Sequence, residues 1–287
     1  MVTQYKNLIG GEMVATDRWL DVVNPATEQV IGQVPACGKA ELDRAVAAAR
    51  TAFKTWKNTP IEERRAAIMA ISGAIKENAE ELYRLLTSEQ GKPHDQAKGE
   101  IYGAAGMSAA QSTLSLDDEI NEDSDTRLSR TRRVPVGVVA GIVPWNFPVM
   151  MAIQKIAPAM LSGCTIVLKP SPFTPLTTLR IAELIADKVP AGVVNIITGE
   201  DDLGPLMTSH PDIDKITFTG STATGKRIME GASKDLKRIT LELGGNDASI
   251  VLPDADVEKV AEQLFWSSFT NAGQICVAAK RIYIHED

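Results

Sequence analysis

The chain has 287 residues, 44% of them hydrophobic, and carries 30 Lys and Arg against 37 Asp and Glu for a net charge of −7. That length and apolar content suit about two domains with a sizeable core, and the mild acidity excludes the basic excess of a nucleic-acid binder. Three widely spaced cysteines, Cys37, Cys164 and Cys276, form no CxxC pair, which excludes a disulfide framework and suits a reducing, cytoplasmic setting.

The opening "MVTQYKNLIGGEMV" has no long apolar stretch and no cleavage signature, so no signal peptide is expected. Residues 1–115 read as an N-terminal helical part. "KAELDRAVAAARTAFKTW" sets Leu42, Val46, Ala49 and Phe53 at helical spacing. The pattern resumes over residues 61–91 with Ile68, Ile71, Ile75, Leu82 and Leu86, and Gly91 is its expected stop. A further helix is expected over residues 96–111. Residues 116–133, "LDDEINEDSDTRLSRTRR", switch from acidic to basic. They suit either a solvated loop or a hairpin arm that reaches another subunit.

From residue 134 strands and helices alternate. "VPVGVVAGIVP", "CTIVLKP", "VVNIITG", "KITFTGS" and "RITLELGG" read as strands, with helices between them. That alternation predicts a doubly wound parallel α/β sheet over residues 134–245. Residues 246–287 add a strand, "ASIVLPDAD", a helix, "VEKVAEQLFWSSF", and a last strand, "RIYIH", and read as the start of a second α/β domain. An apolar strand with nothing after it suggests that the chain is cut. Residues 134–153 are uncharged over the length of a membrane span. Pro135, Pro144 and Pro148 interrupt them, so a strand, a loop and a helix start are expected there and no membrane partner.

Four stretches carry chemistry. "FTGSTATGKR" is a glycine-rich strand–loop–helix turn, which aims backbone N–H groups and a helix N-terminus at phosphate. It fails as a P-loop, since Arg227 stands where a Ser or Thr should hold magnesium, and a dinucleotide pyrophosphate fits better. "TLELGGND" sets Glu242 between Leu241 and Leu243, and a partly buried carboxylate with a raised pKa can act as a general base. "VPWNFP" holds Asn146 between prolines, a rigid amide suited to an oxyanion. "GQIC" ends on Cys276, which these residues alone leave open between a buried spacer and a nucleophile. His94, His210 and His285 are too scattered for a metal site, so no metal is expected.

Taken in order, "VPWNFP", "LKPSPFTP", "FTGSTATG", "LELGGN" and "GQIC" resemble the aldehyde dehydrogenase superfamily, and the resemblance runs over the whole chain. It implies a Rossmann-like fold and NAD or NADP as cofactor. It implies a small-molecule aldehyde as substrate and a homodimer or homotetramer when the chain is full length. Residue by residue, Cys276 matches the nucleophile, Glu242 the general base and Asn146 one half of the oxyanion hole, with the Cys276 N–H as the other half. Lys169 matches the lysine on the adenosine ribose, Gly220 and Ser221 the turn against the pyrophosphate, and Trp145 the loop that passes the cofactor. Gly225 belongs to the same cofactor-binding loop. Phe147, Met150, Met151, Gln154, Thr270, Ile275 and Val277 would lie near the substrate tunnel. The implied chemistry is thiolate attack on the aldehyde carbon, hydride loss to the nicotinamide, and hydrolysis of the resulting thioester by water activated at Glu242.

Two departures stand out. Where the family often has a glutamate for the ribose 2′-hydroxyl, this chain has Pro172, which leaves NAD and NADP both open. The family's chains also continue well beyond residue 287, through an "ExFGP"-like stretch absent here. Two other functions compete. A CoA-acylating semialdehyde dehydrogenase typically lacks the glutamate base, so Glu242 argues against it. A non-catalytic nucleotide-binding module is the reading if 287 residues is the natural length.

Overall fold

The structure is a computed structural model and describes residues 2–286. Five short strands come first: β1 (Thr3–Gln4), β2 (Asn7–Ile9), β3 (Glu12–Val14), β4 (Trp19–Val23) and β5 (Val30–Pro35). The helical reading of residues 1–115 is therefore wrong over residues 3–35. Strands this short hold too few residues to show a period, and their state is set by the strands they pair with. Four helices follow: α1 (Lys39–Trp56), α2 (Ile61–Glu77), α3 (Ala79–Gln90) and α4 (His94–Ser112). The pattern read as unbroken over residues 61–91 is two helices. Asn78 leaves helical geometry at φ −108°, ψ 18°, and its amide donates back to the Ala74 carbonyl at 2.8 Å. Gly91 ends α3 in the left-handed region at φ 89°, where glycine has no Cβ to clash.

Residues 119–131 form an antiparallel hairpin, β6 (Glu119–Ser124) with β7 (Arg127–Thr131), in a sheet of its own. Alternation then runs as the sequence predicts. The elements are β8 (Val138–Ile142), α5 (Pro148–Leu161), β9 (Thr165–Lys169), α6 (Leu176–Ile185), β10 (Val194–Ile196), α7 (Leu203–Ser209), β11 (Lys215–Thr219), α8 (Thr222–Ser233) and β12 (Arg238–Glu242). After them come β13 (Asp247–Val251), α9 (Val257–Phe269) and β14 (Ala279–Ile284). The uncharged window of residues 134–153 is thus strand, loop and helix start. No helix among the described residues is long and apolar enough to cross a membrane.

The main sheet has seven strands in the order β12-β11-β8-β9-β10-β2-β3. The first five are mutually parallel; β2 and β3 extend the edge in antiparallel fashion, β2 on β10 and β3 on β2. Side chains alternate between two cores, as a period of two requires. On β8 and β9, Val139, Ile166 and Leu168 pack among residues of α2 to α6, while Val138, Ala140 and Val167 pack among residues of α1, α7 and α8. Helices on both faces make the sheet doubly wound. Each fully buried Ile or Leu in these layers stabilises the fold by about 1.5–3 kcal/mol. Strands β13 and β14 pair in parallel as a separate small sheet bridged by α9. No residue of α9 is buried, and Phe265, Trp266 and Phe269 face outward.

Candidate active site

Strands β8 and β11 are neighbours, yet the chain leaves them in opposite directions, to β9 on one side and to β12 on the other. This is a topological switch point, and the crevice beyond the carboxyl ends of such strands is where open α/β sheets bind ligands. The loop after β8 is "VPWNFP" and the turn after β11 is "GST". Lys169 closes β9 and Glu242 closes β12. The carboxyl edge therefore gathers every predicted cofactor and catalytic residue except Cys276, which arrives from outside the sheet.

Cys276 is exposed, in a turn between the short 3-10 segment Thr270–Gly273 and β14. Asn271, Ala272 and Gly273 are all left-handed, with φ 51°, 55° and 75°. For Ala272 that conformation costs roughly 1–2 kcal/mol, so contacts must hold the turn. The Gln96 side chain of α4 accepts from the Asn271 N–H at 3.0 Å. Lys280 Nζ donates to the carbonyls of Ile275, Cys276 and Ala278 at 3.0, 2.8 and 3.2 Å. Gly245 lies so close beneath the turn that a Cβ there would sit 2.4 Å from the Cys276 carbonyl oxygen.

Asn146 reaches the same turn. Its Nδ2 donates to the Gln274 carbonyl at 2.7 Å, and its Oδ1 accepts from the Phe147 N–H at 3.0 Å. One Nδ2 proton therefore remains for a ligand. Beneath this loop lies a fully buried ion pair, Lys92 Nζ to Glu100 Oε2 at 2.5 Å. Burial lowers the Lys92 pKa and raises that of Glu100, and their mutual attraction opposes both shifts. Trp145, next to Asn146, is partly exposed, and its carbonyl accepts from Thr174 Oγ1 at 3.3 Å.

Glu242 departs from its sequence reading: it is exposed rather than partly buried, because β12 is an edge strand and its alternate residues face solvent. Its backbone carbonyl accepts from Gly220 N at 3.0 Å, which ties the glutamate strand to the glycine turn. A Cβ at Gly220 would lie 2.5 Å from the Phe218 ring, so a larger residue there would have to displace that ring. Ser221 caps α8, its Oγ accepting from Thr224 N at 3.2 Å. Gly225 gives α8 close approach to Leu243, whose Cδ2 would lie 2.6 Å from an added Cβ. Lys169 is buried at the end of β9; burial lowers its pKa, and Asp201 and Asp202 oppose that shift.

Three contributors escaped sequence reading. Lys155 is buried in α5, donates to Thr219 Oγ1 at 2.8 Å, and is pushed down to about 8 by burial against the pull of Glu242. The Lys92–Glu100 pair is the second and Gln96 the third. A signal existed for Glu100 and Lys155: each is a lone charge on an apolar helix face, beside Ala97, Ile101 and Ala104 in one case and Ile153 and Ile156 in the other. Among the described residues, no three His, Cys, Asp or Glu side chains group as metal ligands.

Comparison with known proteins bears on the chain as a whole. Residues 13–287 match the aldehyde dehydrogenase family. A probable aldehyde dehydrogenase of a Pseudomonas species is 48% identical over 97% of this chain and 57% of its own length. The NADP+ succinate-semialdehyde dehydrogenase of Escherichia coli is 42% identical over 97% of this chain and 59% of its own. The NAD+ complex of a Bacillus cereus aldehyde dehydrogenase superposes with a TM-score of 0.95 at 38% identity, covering 99% of this chain and 60% of that one. The chain thus spans about 60% of the length of the relatives it matches. With the family match over nearly all its residues and the doubly wound sheet in common, the chain belongs to the aldehyde dehydrogenase family.

Proposed function

We propose that this chain supplies the dinucleotide site and the nucleophile of an NAD(P)-dependent oxidation of an aldehyde to a carboxylic acid. The observation that carries the reading is the 2.7 Å contact from Asn146 Nδ2 to the Gln274 carbonyl, which brings a side-chain amide to the Cys276 turn at the switch point.

The residues suit NAD or NADP. Lys169 is a buried cation with no salt bridge among the described residues, at the same carboxyl edge of the sheet from which α8 starts, and α8 has no acidic residue in its first turn. A pyrophosphate would be held by the N-terminal amides of α8 and the turn at Gly220 and Ser221, and Lys169 would meet a ribose hydroxyl. Trp145 would flank the bound cofactor, which supplies the hydride acceptor.

The chain's own residues do the rest. The exposed Cys276 thiolate adds to the carbonyl carbon. Negative charge then grows on the carbonyl oxygen, where the free Nδ2–H of Asn146 and the Cys276 N–H can meet it. After oxidation the acyl group is a thioester on Cys276. Glu242 takes a proton from water, whose oxygen attacks the acyl carbon and frees the thiolate and the acid. An available carboxylate at this edge favours water over CoA as acyl acceptor.

The test mixes protein, either dinucleotide and an aldehyde, follows reduced cofactor by absorbance, and quenches for mass spectrometry. Reduced cofactor with an acyl adduct on Cys276 is expected, and Cys276→Ala should lose both while binding the dinucleotide as before. Normal turnover by that variant would overturn the reading.

A further inference from the structure

The loop that carries Asn146 is tied down from within the fold. Lys92 follows Gly91 at the end of α3, and Glu100 lies in the second turn of α4. Both side chains are fully shielded from solvent. Lys92 Nζ has three partners: Glu100 Oε2 at 2.5 Å, the Asn146 carbonyl at 2.8 Å, and the Phe147 ring, whose centroid is 3.8 Å away. The other carboxylate oxygen, Glu100 Oε1, accepts from the N–H groups of Val149 and Met150 at 2.9 and 3.2 Å. Those amides belong to the first turn of α5, whose N–H groups have no preceding helical carbonyls to accept from them. One ion pair therefore holds the main chain on both sides of the Phe147–Pro148 step, at Asn146 before it and at Val149 and Met150 after it.

We propose that the buried Lys92–Glu100 pair is a positioning device that fixes the backbone of Asn146 and so aims its free amide proton at the carbonyl oxygen reacting with Cys276. The inference rests on the proposed role of Asn146 as an oxyanion donor. Neither Lys92 nor Glu100 reaches the reacting atoms; both act through Asn146. The loop's other ties do not replace them. The Asn146 Oδ1 contact to Phe147 N is local to the loop, and Gln274, the partner of Nδ2, sits in the turn that holds Cys276 itself. Thr174 Oγ1, from the loop before α6, donates to the neighbouring Trp145 carbonyl at 3.3 Å, and among the described residues the ties from this loop to the α3–α4 corner are those of the ion pair. A buried pair is a costly way merely to fill space, since apolar residues of similar volume often serve stability as well or better.

That contrast supplies the test. In Lys92→Met with Glu100→Leu the charges are replaced together, so the fold should persist and thermal unfolding should show it. Two rates are then compared. Acylation of Cys276 by p-nitrophenyl acetate forms a C–S bond, expels p-nitrophenolate and passes through an oxyanion, with no cofactor needed. Alkylation of Cys276 by iodoacetamide displaces iodide and builds no oxyanion. Asn146→Ala is the benchmark, expected to slow acylation at least tenfold and leave alkylation within about twofold. The double variant should do the same, and Lys92→Arg should recover part of the loss. A second readout needs no reactivity. The Asn146 side-chain amide signal, assigned by its absence in Asn146→Ala, should move and exchange with water at least tenfold faster in the double variant. If Asn146→Ala leaves acylation unchanged, the oxyanion reading fails and this inference with it. If Asn146→Ala slows acylation but the folded double variant does not, or if its Asn146 signal stays put, the positioning role alone is overturned.

Discussion

Two adjacent glycines sit in very different space, and their alanine variants separate packing against the nucleophile turn from generic glycine effects. At Gly245 an added Cβ would lie 2.4 Å from the Cys276 carbonyl oxygen and 2.7 Å from Asp247 Oδ1. The aspartate can rotate away, but the carbonyl is backbone. Restoring an ordinary contact of about 3.4 Å requires about 1 Å of movement in the turn that carries the thiol. If the turn resists, overpacking costs typically 1–3 kcal/mol. If it yields, a reactive group misplaced by about 1 Å loses on the order of 100-fold in rate. At Gly244 the nearest atom to an added Cβ is Thr222 Oγ1 at 3.8 Å, an ordinary contact. Gly245→Ala should therefore lower unfolding free energy by about 1–3 kcal/mol, or slow acylation of Cys276 by about 100-fold, or split the effect between them. Gly244→Ala should stay within about 0.5 kcal/mol of the parent in stability, with its rate little changed. Denaturant titration and p-nitrophenyl acetate acylation read both quantities on the same samples. Equal damage from the two variants, or an unperturbed Gly245→Ala, would refute the argument from close approach.

Glu242→Gln should still acylate Cys276 and then stall, so that rapid-quench mass spectrometry finds the thioester; normal turnover without the adduct would place the base elsewhere. Glu89 is buried, with its carboxylate accepting from the N–H groups of Leu176 and Thr177 at 2.6 and 3.0 Å, and burial pushes it from 4.5 up to about 7. A folded pKa above the unfolded one means the folded state holds the proton longer, so this group's contribution is full below about pH 4.5 and is lost as pH rises to about 7. Glu89→Gln should remove that decline, up to about 3 kcal/mol across the window, and an unchanged stability-against-pH curve would refute it. Since Pro172 offers neither an acceptor for a ribose 2′-hydroxyl nor a charge against a 2′-phosphate, titration calorimetry should find NAD and NADP within roughly tenfold of each other, about 1.4 kcal/mol, and a hundredfold preference would overturn that reading.

Much of the architecture was legible in the residues because it rests on local chemistry. The strands from Val138 to Glu242 announce themselves by β-branched runs ended by glycine or proline, and the helices between them by apolar spacing. Gly91 as a helix stop follows from the left-handed turn it makes. Local chemistry nominated Asn146 and Glu242, and the order of the motifs added Cys276. What the tertiary structure decided is non-local. Strand β2 is held by a distant partner, β10, nearly two hundred residues further along the chain, while β1, β3, β4 and β5 pair among residues 3–35. Glu242 sits between leucines, which suggested burial, yet β12 is an edge strand and its carboxylate faces solvent. Lys92, Glu100 and Lys155 carry no motif, and only folding shows that Lys92 and Glu100 meet in the interior beneath Asn146 while Lys155 lies against Thr219. A sequence displays what each residue prefers among its near neighbours. Which charges are shut away from water together, and which strand is left at an edge, depends on how those elements stack, because burial belongs to the assembled layers and not to any one segment.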